Sequence, residues 1–196
     1  MSDVKGNLSR FKEYKISYAN RLLSSLESVD DESICSFITE LERAQHTGAQ
    51  VFFVGNGGSA ATANHFANDL SLGIKGGRPV RAISLSSNQA VITALANDEG
   101  YDKVFIKQLQ VAANPGDILV GISASGNSPN ILTAVDWCRK NEVVTIGVTG
   151  FEGGRLAQIC DISLCFTTEL GDYGVSEDCH MILDHLITNY LISKSS

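Results

Sequence analysis

Five short runs rich in β-branched and aromatic residues, most of them separated by segments of helical length, constrain this chain more than any other feature. They are VFFVG (51–55), VRAISL (80–85), DILVGIS (117–123), VVTIGVTG (143–150) and DISLCF (161–166). Strands separated by helices are joined by crossovers rather than hairpins, and crossovers give a parallel sheet covered by helices on both faces. The predicted fold is therefore α/β, a single doubly wound, parallel, five-stranded sheet. Ahead of it, residues 8–28 and 32–46 place Leu8, Phe11, Ile16, Leu22 and Leu26, then Ile34, Phe37, Ile38 and Leu41, at helical spacing. Asp31 is the expected N-cap of the second of these helices and Gly48 its stop. A last helix is expected over 176–193.

The chain of 196 residues shows no linker, repeat or low-complexity tract. One domain over 1–196 is expected, with a helical hairpin at 1–48 and an α/β core at 49–196. The hairpin has two readings: it covers one face of the sheet, or it packs against another copy of the chain.

Composition narrows the function. Hydrophobic content of 43% and charged content of 19% are those of a globular protein. No run approaches 18 apolar residues, and MSDVKGNLSRFKEY has no apolar signal core, so a cytoplasmic location without a membrane partner is expected. Cys35, Cys138, Cys160, Cys165 and Cys179 are odd in number and form no CxxC pair; they read as reduced, small core residues. A net charge of −7 argues against direct nucleic-acid binding, which depends on Lys and Arg neutralising phosphates.

A small anion needs only a local nest of donors, and two loops supply one. In open α/β sheets, ligands bind beyond the carboxyl ends of the strands. There the first run continues into Gly55-Asn56-Gly57-Gly58-Ser59 and a helix, and the third into Ser123-Ala124-Ser125-Gly126-Asn127-Ser128 and Pro129. Glycines let backbone N–H groups approach an anion, the helix N-terminus adds partial positive charge, and serine hydroxyls donate further hydrogen bonds. Gly55, Gly57 and Ala60 also match GxGxxA, but the strand that should end in a ribose-binding carboxylate ends in Ser84-Leu85-Ser86-Ser87. No nucleotide cofactor is expected.

His65 and Asp69, four apart on the helix after the glycine loop, project from one face and make half of a metal site. Glu177, Asp178, His180, Asp184 and His185 supply candidates for the rest. On an ideal helix Asp178 is nearly in phase with His185, while Glu177 lies about 80° away. Either acid could face the histidine.

The blocks GNGGSAATANHFANDL, ITALANDEGYDKVF, GDILVGISASGNSPNI and EDCHMILDHLI, in this order, resemble the phosphoheptose isomerase family of the flavodoxin-like sugar isomerase (SIS) domain. The resemblance implies a zinc-binding homotetramer with sites shared between subunits, converting sedoheptulose 7-phosphate to an aldose heptose phosphate. It implies phosphate and sugar contacts at Asn56, Gly57, Gly58, Ser59, Asn97, Asp98, Ser123, Ala124, Ser125, Ser128 and Glu177. It implies zinc at His65, Asp69, Glu177 and His185, with Asp69 and His185 catalytic. Three departures stand out: Asp69 where the family usually has Glu, Glu177 where it has Gln, and Ala124 for a frequent Thr. The alternative is a non-catalytic module that binds a phosphosugar or a protein such as a replication initiator.

Overall fold

The computed structural model describes residues 2–73 and 78–194. Helices α1 (Ser2–Ser28) and α2 (Asp31–Thr47) precede strand β1 (Gln50–Gly55). Then follow α3 (Gly58–Asn68), β2 (Arg81–Ser84), α4 (Gln89–Asp98), α5 (Ile106–Ala112), β3 (Ile118–Ser123), α6 (Pro129–Lys140), β4 (Val144–Thr149), α7 (Gly154–Ile159), β5 (Ile162–Cys165) and α8 (Tyr173–Lys194). All strand pairs are parallel, in the order β2-β1-β3-β4-β5. The order reverses between β1 and β3, which opens a crevice at their carboxyl ends. The glycine loop leaves β1 at that point and the serine loop leaves β3, so topology alone brings the two loops together.

Alternation along each strand divides the core in two. Val51 and Phe53 of β1 face a layer of α2, α3 and α8 built around Phe37, Leu41, Phe66, Leu70, Leu183 and Ile187. Phe66 stacks at a tilt on both Phe53 (4.9 Å) and Phe37 (5.8 Å). Phe52 and Val54 face the other way, onto Phe105, Leu109, Ile131, Val135 and Leu156. Burial on both faces explains why these strands read as continuous apolar runs.

Helix α2 is capped by Asp30, not by the expected Asp31. The Asp30 carboxylate accepts from the Ser33 N–H and the Ser33 hydroxyl, both at 2.8 Å. A capping side chain must reach an N–H three residues on, and Asp31 already lies inside the first turn. Gly48 stops the helix as expected, at φ 79° with its N–H on the Ala44 carbonyl. Along α1, Tyr18, Leu22 and Leu26 pack on the core, while Leu8, Phe11, Tyr14 and Ile16 stay exposed. Among the cysteines, Cys138 and Cys179 are buried, but Cys35 is exposed on the outer side of α2, contrary to its reading as a core residue.

Candidate active site

The glycine loop is shaped by close approach. A Cβ on Gly55 would overlap the Ser59 carbonyl, and Gly57 caps α3 at φ 53°. The loop is then tied across the crevice by an amide pair. Asn56 Nδ2 donates to Asn130 Oδ1 (3.0 Å), and Asn130 Nδ2 donates back to Asn56 Oδ1 (2.9 Å). Tyr101 adds its hydroxyl to the same Asn56 oxygen at 2.8 Å. Asn130 is buried in the first turn of α6, so the start of that helix and the glycine loop form one polar unit.

The serine loop closes the other wall. Ser123 Oγ accepts from the Gly126 N–H at 3.2 Å and meets Ser128 Oγ at the same distance. Gly126, at φ 62°, lies so close to Gly153 that a Cβ would overlap that carbonyl. Between the loops is a cavity of about 190 Å³ lined by Asn56, Ser59, Ile122, Ser123, Ala124, Ser125, Ser128, Tyr173 and Glu177. Among the described residues no Lys, Arg or His lines it, so donors to an anion there are hydroxyls, amides and backbone N–H groups. Glu177 packs directly over Gly58, where a Cβ would overlap its carboxylate.

A second polar cluster lies at the end of α3, where Asp69 opens a π-helical turn (Asp69–Gly73), and farther along α8. Donor atoms of His65, Asp69, Asp184 and His185 all fall within 4.8 Å of one another. His65 Nε2 is 3.2 Å from His185 Nε2, 3.5 Å from Asp69 Oδ2 and 3.9 Å from Asp184 Oδ2. Both histidines are exposed, whereas Asp184 is completely buried. Burial, reinforced by the Asp69 charge and opposed by His65, pushes the Asp184 carboxyl up to about 7.

A SIS-domain family model matches residues 14–150. Phosphoheptose isomerase 2 of Campylobacter jejuni is 33% identical over 175 residues, covering 87% of this chain and 86% of that protein. The phosphoheptose isomerase of Nitratidesulfovibrio vulgaris is 41% identical over 141 residues, covering 71% and 67%. The chain belongs to the phosphoheptose isomerase family. Its fold agrees: the structure of phosphoheptose isomerase GmhA from Neisseria gonorrhoeae superposes with a TM-score of 0.84 at 28% identity, covering 95% of this chain and 99% of that one.

Within this phosphoheptose isomerase fold, the expected residues separate into two places. Asn56, Ser59, Ser123, Ala124, Ser125, Ser128 and Glu177 line the cavity, and Gly57 and Gly58 shape its edge. Asn97 and Asp98 do not line it; they are exposed at the end of α4, where Asn97 Nδ2 donates to Asp98 Oδ1 at 2.8 Å. His65, Asp69 and His185 come together as expected, but Glu177 is not among them. Asp178 is not there either: it accepts from the Tyr18 hydroxyl at 2.6 Å, against α1. Helical phase puts Asp178 on the stripe of His185, but two turns separate them by about 10 Å along the axis. Sequence reading missed Asn130, Tyr101 and Tyr173 in and around the cavity, and it left Asp184 among the candidates with no place assigned. The signal for Asp184 was present, a carboxylate set in the otherwise apolar run MILDHLI beside a candidate histidine.

Proposed function

We propose that this chain is a cytoplasmic aldose–ketose isomerase that converts sedoheptulose 7-phosphate to the aldose heptose 7-phosphate. The observation that carries the reading is the spacing of the two polar sites. The anion-binding cavity and the His/Asp cluster lie on the same pair of helices, α3 and α8, separated by about seven residues on each. That is on the order of 10 Å along the helix axis, the reach of a phosphorylated sugar lying with its phosphate at one end and its carbonyl at the other.

The phosphate binds against Ser59, Ser123, Ser125 and Ser128. The Glu177 carboxylate over Gly58 repels it from that side, so the phosphate favours the serine loop and Glu177 accepts from sugar hydroxyls. Asn97 and Asp98 join the substrate contacts from α4 once sugar is bound. Asp69 takes the proton from C1, beside the ketose carbonyl, and returns it to C2. His185 carries the second proton from the C1 hydroxyl to the former carbonyl oxygen, so the enediol collapses to the aldose with no net change in atoms or electrons.

Imidazole and carboxylate donors within 4.8 Å of one another suit a divalent ion such as zinc, which His65, Asp69 and His185 would help to hold. Bound there, it would polarise the carbonyl and lower the barrier to enolisation. The exposed apolar side chains of α1, and exposed histidines that a neighbouring copy would cover, support assembly as a homotetramer. The test is turnover of sedoheptulose 7-phosphate by the purified chain, after chelation and after zinc is restored. Formation of the aldose supports the reading, and no turnover in either state refutes it.

A further inference from the structure

Asp184 is in a position that a carboxylate does not hold without compensation. It is 0% exposed, and its Oδ1 accepts from the Thr188 hydroxyl at 3.2 Å, but its Oδ2 has no hydrogen-bond partner among the described residues. That bare oxygen points towards His65 Nε2, 3.9 Å away. Burying a charge is tolerated when it is paired or coordinates a metal. Asp69, a second carboxylate, makes matters worse by reaching the same space, with Oδ2 3.5 Å from the same His65 nitrogen. The two imidazoles also meet nitrogen to nitrogen at 3.2 Å.

A single divalent cation among these four side chains would satisfy all of them. Bonds of about 2.0–2.2 Å to a tetrahedral zinc place its donor atoms roughly 3.3–3.6 Å apart. The distances from His65 Nε2 to the other three donors are 3.2, 3.5 and 3.9 Å. Two carboxylates and two neutral imidazoles also balance the charge of a divalent ion. Glu177 cannot serve in this set from where it stands. It is seven residues before Asp184, and its carboxylate occupies the space over Gly58 at the edge of the sugar cavity.

We propose that the metal of this chain is held by His65, Asp69, Asp184 and His185, with Asp184 in the place expected of Glu177, which is left free to bind the sugar. The proposal rests on the metal-dependent isomerase reading above. It also accounts for the short arm at position 69: a carboxylate from the facing helix α8 closes the space that the shorter Asp69 leaves.

The experiment measures zinc affinity by chelator competition on the full chain, together with the visible spectrum of the cobalt-substituted protein and thermal melting with and without zinc. Wild type is expected to bind one zinc per chain. Asp184→Asn should bind at least about tenfold more weakly, with an altered cobalt spectrum. Because Asn removes an uncompensated buried charge, the zinc-free variant should melt no lower than zinc-free wild type, while its gain on adding zinc shrinks. Glu177→Ala, which leaves no donor at that position, should keep wild-type zinc affinity and cobalt spectrum but bind sedoheptulose 7-phosphate more weakly. Zinc affinity unchanged in Asp184→Asn, or lost in Glu177→Ala, overturns the proposal, as does a wild-type chain that binds no zinc. Should Asp184→Asn fail to fold, the Glu177→Ala cobalt spectrum alone decides whether Glu177 is a ligand. Turnover by wild type in any of these cases leaves the isomerase reading standing, so the two can fail separately.

Discussion

Glu177 and Asp184 share one face of α8, two turns apart, and end in different chemistry. The Glu177 carboxylate packs over Gly58 at the mouth of the serine-lined cavity, and the Asp184 carboxylate is buried against His65. The same two-turn interval separates Ser59 from the His65–Asp69 pair on α3. The cavity and the cluster can serve one sugar phosphate only if they stay level with each other on both helices, and packing of Phe66, Leu183 and Ile187 in one core holds them so.

The contact between Gly58 and Glu177 leads to a first prediction. Gly58→Ala introduces a Cβ where the Glu177 carboxylate now lies, so the acid must move off the loop. Overpacking of this kind costs about 1–3 kcal/mol. Steady-state kinetics should show KM for sedoheptulose 7-phosphate raised by about tenfold or more. A KM equal to wild type would mean that Glu177 takes no part in holding the sugar.

Ser59→Ala and Ser125→Ala should each weaken phosphosugar binding and leave the fold intact. A hydroxyl donating to a charged phosphate is worth about 1.5–3 kcal/mol, which is roughly 10- to 100-fold in Kd. Titration calorimetry and thermal melting separate the two effects. Full affinity in both variants would remove the serine loop from the phosphate site.

Asp69→Asn should fold normally and lose about 10²- to 10⁴-fold in turnover, the usual range for a deleted general base. Asp69→Glu should raise turnover if the shorter arm limits the wild-type rate. Loss of exchange of the C1 proton with solvent deuterium in Asp69→Asn would identify the step. Retained exchange would assign the base elsewhere.

His180 predicts an acid limit to stability. It is buried against Phe166 (ring centroids 5.8 Å apart), and desolvation lowers its pKa from 6.5 to about 4. Because the folded pKa is the lower one, the unfolded chain binds the proton first. Stability from the neutral ring is fully present above pH 6.5 and is lost as pH falls towards 4, by roughly 3 kcal/mol in all. Urea unfolding between pH 7 and 4 should therefore fall more steeply for wild type than for His180→Leu. Parallel curves would show that another group sets the acid limit.

Light scattering at micromolar concentration should return a particle about four times the 21.0 kDa chain. Replacing exposed Phe11 and Ile16 of α1 with Ser should reduce it, since these side chains have no core of their own to cover them. A wild-type particle of one chain would refute a shared site.

Much of this protein was legible without coordinates. Runs such as VFFVG are apolar at every position because both sheet faces are covered, and that local pattern already implies parallel strands. The glycine and serine loops could be read because φ values near +60° and close backbone approaches demand Gly at 57 and 126, whatever surrounds them. His65 and Asp69 could be paired because they are four apart on one helix. Only the tertiary structure decided what crosses between elements: the Asn56–Asn130 clasp, the meeting of His65 with His185 120 residues away, and the placing of Asp184, rather than Glu177 or Asp178, beside the histidines. Helical phase names a stripe on a cylinder, but not which level of that stripe faces a partner. That level is set by how α3 and α8 pack, a relation between distant segments that no local spacing contains.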